Sequence, residues 1–260
     1  MPDPKQPASH PTAAVIIPVF NERLNSLSQL VKELLHFTQA IILVDDGSDP
    51  PVTRIDEKVI LIRHKRNLGQ GAALETGMEY ARRMGFEIVV HIDGDGQHQV
   101  QELPLLVAPL LKGDADIVFG SRFITRSSEE LIPFSRRQLL RFSRIANTFF
   151  TGAKMTDAHN GFRALNKKAL DALKLRSTGR AHASEIVWLA NKHDLRFVEV
   201  PVHVLYNETA KNKIHFLTLI SLGIHLTWNR LTGYRNKNRK AIKEREAALA
   251  AIMKRSSVEQ

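Results

Sequence analysis

Cysteine is absent from this chain of 260 residues, which excludes a disulfide framework, a thiolate nucleophile and a thiolate zinc site and suits a reducing compartment. The opening stretch MPDPKQPASHPTAA carries prolines and an acid where a signal peptide needs a basic start and an apolar run, so residues 1–12 are expected to form a disordered lead-in. The apolar tail from Ile214 to Trp228 is broken by His215, His225 and Thr227, and falls short of the roughly 20 apolar residues that cross a bilayer. Several ligand loops are missing as well. The glycines at Gly69 and Gly71 lack the third glycine of a dinucleotide fingerprint, and no P-loop order of glycine, lysine and serine or threonine occurs. A calcium loop starting at Asp93 would need glycine sixth and glutamate twelfth, where the chain has His98 and Pro104. No internal repeat, low-complexity tract, helix-turn-helix, RNA-recognition or zinc module is recognisable.

The chain has a hydrophobic content of 43%, enough for a sizeable core. Its formal net charge is +10 with pI near 9.9, which favours anionic partners: phosphorylated substrates, anionic lipid or nucleic acid. The charge is clustered. One group is Arg122, Arg126, Arg136, Arg137, Arg141 and Arg144, and another runs from Arg230 through Arg235, Lys237, Arg239, Lys240, Lys243 and Arg245.

Short β-branched runs alternate with helical patterns, as expected of βα units on a mainly parallel sheet. The runs are AAVIIPVF, AIILVDDGS, VILIRHKRN, EIVVHIDGDG and ADIVFGSR. Between the first two, Leu27, Leu30, Val31, Leu34 and Leu35 recur at helical spacing. This α/β part extends from about Ala13 to Arg122. Pro133 to Phe150 reads as a helix with an arginine row, TGAKMTDAHNGFRAL as a loop, Glu185 to Lys192 as a helix, and RFVEVPVHVLY as a strand whose Pro201 suggests a sheet edge. In open sheets of this kind ligands bind beyond the carboxyl ends of the strands. Polar residues collect there: Pro18, Phe20, Asn21 and Glu22; Asp45, Asp46, Gly47 and Ser48; Asn67, Gly69 and Gly71; and Asp93, Asp95 and Gln97.

Asp93, Asp95 and Gln97, one residue apart on an extended strand end, are expected to share one face, because side chains alternate with period two. Oxygen ligands without thiolate or clustered imidazole suit Mg²⁺ or Mn²⁺, ions that keep several waters and bridge to substrate phosphates. A simple turn is the competing reading of the same residues. Asp45 and Asp46 could likewise cap a helix or close a turn, and Asp157 could be an N-cap. His98, His159 and His182 are expected to be hydrogen-bonded or solvated rather than ligands, and His91 to be structural.

Taken in order, VIIPVFNE, LVDDGS, NLGQGAALETG, HIDGDGQH, GSRF, TDAHNGFRAL and VEVPVHVLY resemble family 2 glycosyltransferases of the GT-A fold, in the branch of dolichol-phosphate mannose synthases and bacterial polyprenyl-phosphate glycosyltransferases. The resemblance covers about 13–213, and it implies an α/β GT-A domain with a nucleotide-binding part (13–122), an acceptor part (123–213) and an amphipathic, basic tail (214–260). It implies donor nucleotide contacts from Pro18, Phe20, Glu22, Asp45, Asp46, Gly69, Gly71 and Asp93. It implies a Mg²⁺ or Mn²⁺ site at Asp93, Asp95 and Gln97, with phosphate contacts from Arg122, Arg163, Lys211 and Lys213. Asp157, Glu185 and Arg163 are the catalytic candidates. Two positions depart from the pattern: Gln70 stands where many relatives have lysine, and YNETAKNK matches the donor-closing loop only loosely.

The expected activity is an inverting transfer of a sugar from a UDP- or GDP-sugar to a polyprenyl or dolichyl phosphate at the cytoplasmic face of a membrane, with peripheral membrane contact and no nucleic-acid partner. A hydroxyl acceptor on a saccharide or lipid is the rival, and it would need Asp157 or Glu185 as a base. A nucleotidyltransferase is disfavoured by the lack of a glycine-rich N-terminal loop, and a non-catalytic basic binding protein would have no use for Asp93 or Asp95. The chain after Arg235 could be a flexible tail or a helix that pairs between subunits, which leaves a homo-oligomer open.

Overall fold

Strands enclosed on both faces need apolar side chains at every position rather than at alternate ones, and β1 (Ala13–Val19) and β2 (Ala40–Asp45) meet that demand, being buried at every position after the first. In the computed structural model, which describes residues 12–38, 40–124, 152, 154–205 and 239–256, they lie in one sheet with β3 (Val59–Arg63), β4 (Ile88–His91), β5 (Ile117–Ser121), β6 (Arg163–Asn166) and β7 (Phe197–Pro201). The spatial order is β3-β2-β1-β4-β6-β5-β7. All neighbouring pairs are parallel except those made by β6, which runs antiparallel between β4 and β5. The arrangement is α/β with a mainly parallel sheet, as expected from the alternating pattern.

Helices cover both faces. α1 (Leu24–Leu34) buries Leu27, Leu30, Val31 and Leu34, one stripe at the i, i+3, i+4, i+7 spacing of an amphipathic helix, and it shares its layer with α3 (Leu103–Leu111). The opposite layer holds α2 (Gln70–Arg83), α4 (Lys167–Ala172) and α5 (His182–Lys192). β7 forms the sheet edge that Pro201 suggested.

One expectation is corrected and one alternative is resolved. The stretch expected to be a loop, TGAKMTDAHNGFRAL, ends in β6, a strand at the centre of the sheet. Four residues are too few to display a period, and one of them is the charged Arg163, so no pattern announces it. The segment expected to be a flexible tail or a helix is helical over α6 (Arg239–Ser256), which packs on α2 and β3 of the same chain. Leu249 is buried there at 1% exposure, Glu244 Oε2 meets Arg66 Nε at 3.1 Å and Arg245 Nη2 lies 3.7 Å from Glu75 Oε1. The helix expected at Pro133 to Phe150, the apolar stretch at Ile214 to Trp228, and Lys211 and Lys213 lie outside the described residues. Among the described residues no helix is long and apolar enough to cross a membrane.

Because Leu249 anchors α6 in the core, Leu249→Ala is expected to lower unfolding stability by about 2–4 kcal/mol. Chemical denaturation measures this directly, and a stability within error of the unmodified chain would show that α6 is not part of the cooperative unit.

Candidate active site

At the carboxyl ends of β1 and β4 three carboxylates act on one another. β4 stops at His91, two residues before Asp93, so strand alternation is not what brings Asp93 and Asp95 together. A turn does so instead, with Gly96 at φ 72°. Gly94 lets that turn settle on the end of β1, since a Cβ there would lie 3.2 Å from the Pro18 carbonyl oxygen. The result is an acidic corner. Burial, then Asp95 and Asp93, raises the carboxyl of Glu22 above its ordinary value. Burial and the Asp93 charge likewise raise Asp95, against the hydrogen bond that its Oδ1 accepts from Gln97 N at 3.0 Å.

Asp93 goes the other way. Its burial would raise it, but the hydrogen bond and charge of His98 and the charge of Arg163 hold it low. Its Oδ1 accepts from Gln70 Nε2 at 2.8 Å and its Oδ2 lies 3.5 Å from His98 Nε2. The site is therefore graded: Asp93 is held ionised, while Glu22 and Asp95, exposed as residues but with partly desolvated carboxyl groups, are raised.

This donor set fits a hard divalent cation, whose charge would relieve the repulsion. Among the described residues no three His, Asp or Glu side chains converge closely enough to hold an ion by themselves. That matches the habit of Mg²⁺ and Mn²⁺ of taking one or two carboxylates and completing the shell with water and substrate phosphate. Asp93 and Asp95, with the Gln97 amide beside them, would be the protein's share.

Other expected donor contacts turn out to hold the framework. Asp45 is 0% exposed: its Oδ1 accepts from Ser48 N at 2.8 Å, and its Oδ2 from Arg63 Nη1 at 2.8 Å and Val52 N at 3.2 Å. Asp46 accepts from Leu68 N, Gly69 N and the His64 ring, within 2.9 Å in each case. His64 in turn meets Thr76 Oγ1 at 2.9 Å. This Asp–His–Thr chain has the order of a catalytic relay, but Thr76 is buried within α2 and donates to the Ala72 carbonyl, so the chain serves as a brace.

Gly69 and Gly71 are needed for the same framework. A Cβ on Gly69, at φ 100°, would overlap the carbonyl oxygen of Thr178, and one on Gly71 would overlap that of Ser177. Pro18 is buried at the β1 end, whereas Phe20 and Glu22 are exposed beside it.

Arg122 grips Asp157 with two parallel bonds, Nε to Oδ2 at 2.6 Å and Nη2 to Oδ1 at 2.8 Å, the strong bidentate form of this pair. Asp157 is thus an ion-pair partner and not the N-cap that its spacing allowed. Its loop is fastened by Glu199 of β7, which accepts from Thr156 N at 2.8 Å and from Asp157 N at 2.9 Å. Glu199 was not singled out from sequence; the only hint was an acid inside the apolar run FVEVP. Glu185 is also committed, accepting from Arg176 N at 3.0 Å and Ser177 N at 2.7 Å.

Arg163 is not on the rim. On β6 it is 1% exposed, it donates from Nη2 to the Asn160 carbonyl at 2.6 Å, and its Nε and Nη1 have no partner among the described residues. Burial lowers it to about 10, opposed by Asp93 and Asp157, so it stays charged at neutral pH and acts on the site through its field. Burial, followed by Arg163, pulls His182 down to about 4 and His91 well below its ordinary value. Both imidazoles are neutral at physiological pH, consistent with structural roles.

The glycosyl transferase family 2 model matches residues 14–174, from β1 to just past α4. The chain belongs to this family. The transferase is 30% identical over 220 residues to a UDP-N-acetylglucosamine–dolichyl-phosphate N-acetylglucosaminyltransferase of Methanococcus voltae, covering 75% of this chain and 86% of that protein. It is 29% identical over 213 residues to a polyprenol monophosphomannose synthase of Mycolicibacterium smegmatis, covering 77% and 80%. Among solved structures, mannosyl-3-phosphoglycerate synthase from Rubrobacter xylanophilus superposes with a TM-score of 0.59 at 14% identity, over 88% of this chain and 77% of that one. Glucosyl-3-phosphoglycerate synthase from Mycobacterium tuberculosis, in complex with UDP, gives 0.54 at 19% identity, over 88% and 82%. These likenesses show the GT-A fold.

The raised carboxyl of Asp95 generates a signed expectation for the metal-free transferase. A carboxyl raised on folding binds its proton more tightly in the folded state, so it costs stability above its folded-state value, and the cost vanishes below about pH 4, where unfolded carboxyls are protonated. Asp95→Asn should therefore raise the melting temperature at pH 7 without metal, by about 1–2 °C. The difference should close as pH falls toward 4, and a lower melting temperature for the variant at pH 7 would contradict the like-charge picture. At Gly71, alanine is expected to cost about 1–3 kcal/mol from overlap with the 177–179 backbone, measurable by urea unfolding.

Proposed function

We propose that the transferase moves a sugar, with inversion, from a UDP- or GDP-sugar to the phosphate of a polyprenyl phosphate, with its acceptor lying in the cytoplasmic face of a membrane. The observation that carries the donor half is the acidic corner of Glu22, Asp93 and Asp95 at the carboxyl ends of β1 and β4, where ligands of open α/β sheets bind. Pro18, Phe20 and Glu22 would border the nucleotide. Asp93 and Asp95, with Gln97, would hold Mg²⁺ or Mn²⁺. Neutralisation of the departing diphosphate is the chemistry that such an ion supplies.

The acceptor half is supported by two independent lines. Relatives named for dolichyl-phosphate and polyprenol substrates align along three quarters of the chain. In addition, neither carboxylate expected to serve as a base is free: Asp157 is locked to Arg122 and Glu185 to two backbone amides. A hydroxyl acceptor would need one of these pairs broken so that a proton could be taken. A phosphate monoester, with a second pKa near 6, arrives already ionised at neutral pH. Its attack needs cations and alignment, and Arg122, held by Asp157 just beyond β5, would supply one. The buried Arg163 would add a fixed positive field from beneath the sheet.

Incubation with undecaprenyl phosphate, labelled UDP- and GDP-sugars and Mn²⁺ is expected to yield an organic-soluble, acid-labile sugar lipid with one of the nucleotides. Asp95→Asn should lower kcat by about 100-fold or more, the usual scale for losing an electrostatic contact to developing charge. A variant as active as the parent would remove Asp95 from the site. Product formed on a saccharide or lipid hydroxyl, and none on the phosphate, would favour the rival acceptor.

A further inference from the structure

Gln70, the first residue of α2, sends its side-chain amide to Asp93 Oδ1 at 2.8 Å. Asp93 is closely confined on its other side. Gly161 abuts the carboxylate so tightly that a Cβ there would overlap Oδ2. His98, whose Nε2 lies 3.5 Å from Oδ2, is itself steadied by Phe162 at a ring separation of 5.3 Å. The carboxylate thus sits between a neutral amide and a packed wall, and the amide decides how it turns.

Gln70 is itself held in place from several directions. Asp46 captures Leu68 N and Gly69 N immediately before it, Gly71 immediately after it is pressed on Ser177, and Thr76, nearly two turns further along α2, is tied to His64. Glu75 accepts from Leu175 N at 2.7 Å. With so many ties on its first turns, α2 presents the Gln70 amide to Asp93 in a defined geometry.

The charge around it gives that geometry a consequence. Glu22, Asp93 and Asp95 repel one another, opposed at Asp93 by His98 and by the buried Arg163 of β6 and at Asp95 by His98. We propose that Gln70 is a positioning residue that sets the charge of the cation corner: it orients Asp93 through a neutral donor and so leaves the corner's negative charge available to a divalent ion. This rests on the reading of the corner as a Mg²⁺ or Mn²⁺ site. A lysine in its place would still donate to Asp93, but its ammonium would stand about 3 Å from the oxygen and compete with the metal for the same charge.

The experiment compares Mn²⁺ dissociation constants, read by electron paramagnetic resonance with UDP or GDP present, for the full chain and its Gln70→Lys and Gln70→Ala variants. Melting temperatures establish that each variant folds, and Gln70→Arg serves as the cationic variant if lysine does not. The expected order of affinity is parent, then alanine, then lysine, with the cationic variant about 10- to 100-fold weaker than the parent, the range for perturbing a partner of a metal ligand. Steady-state kinetics should agree, with the metal concentration for half-maximal rate raised more than kcat is lowered. A purely structural hydrogen bond predicts the opposite order, because lysine keeps a donor that alanine lacks. Lysine equal to or tighter than alanine therefore overturns the inference while leaving the site reading intact. Failure of the parent to bind Mn²⁺ with either nucleotide overturns both.

Discussion

Like charges gathered at one point are the constraint around which the carboxyl end of this sheet is built. Glu22 and Asp95 are raised by burial and by their neighbours, a cost that a fold selected for stability alone would relax by letting the side chains part. They do not part, because Gly94 fits the turn against Pro18 and Val19 and the Gln70 amide holds Asp93. The strain is local, and the surrounding hydrogen bonds that maintain it are neutral or internally paired. A divalent cation and a diphosphate entering together would offset this repulsion.

The framework behind the corner is a set of carboxylates used as fasteners. Asp45 ties the β2 end to Arg63 and the following loop, Asp46 holds the entry to α2, Glu75 holds the segment before α5, and Glu199 holds the Asp157 loop. Each accepts from backbone amides that would otherwise be buried without partners, a costly condition. The same economy explains why glycine occurs at 69 and 71: the backbone of 177–178 comes so close to the start of α2 that a methyl group would overlap it. The C-terminal α6 extends this bracing. It reaches the loop before α2 through Glu244 and Arg66 and the body of α2 through Arg245 and Glu75, so a segment remote in sequence steadies the helix that carries Gln70.

Within the acceptor half, Arg122 and Asp157 show how pairing defines what a residue can do. A carboxylate alone at this position would be a candidate base, whereas bound bidentately it serves to aim the guanidinium. Arg163 makes the complementary point. The sequence puts it among the motif residues, yet as a member of β6 it lies inside the sheet, where its charge acts on Asp93 and Asp157.

The sequence by itself determined the alternation of strands and helices, because continuous apolar runs and 3.6-residue stripes are local signals that burial imposes on each segment separately. It also marked Asp93 and Asp95 as carboxylates just beyond a strand end, where ligands of open sheets bind. Only the tertiary structure decided that Arg163 begins a central antiparallel strand, that α6 folds back on α2, and that Asp45, Asp46, Asp157 and Glu185 are already engaged while Glu22, Asp93 and Asp95 act on one another electrostatically. The reason is physical. What a carboxylate does depends on which donors reach it, and here those donors come from 35 residues away between Arg122 and Asp157, 42 between Asp157 and Glu199 and 100 between Leu175 and Glu75, separations across which no local pattern in the chain carries information.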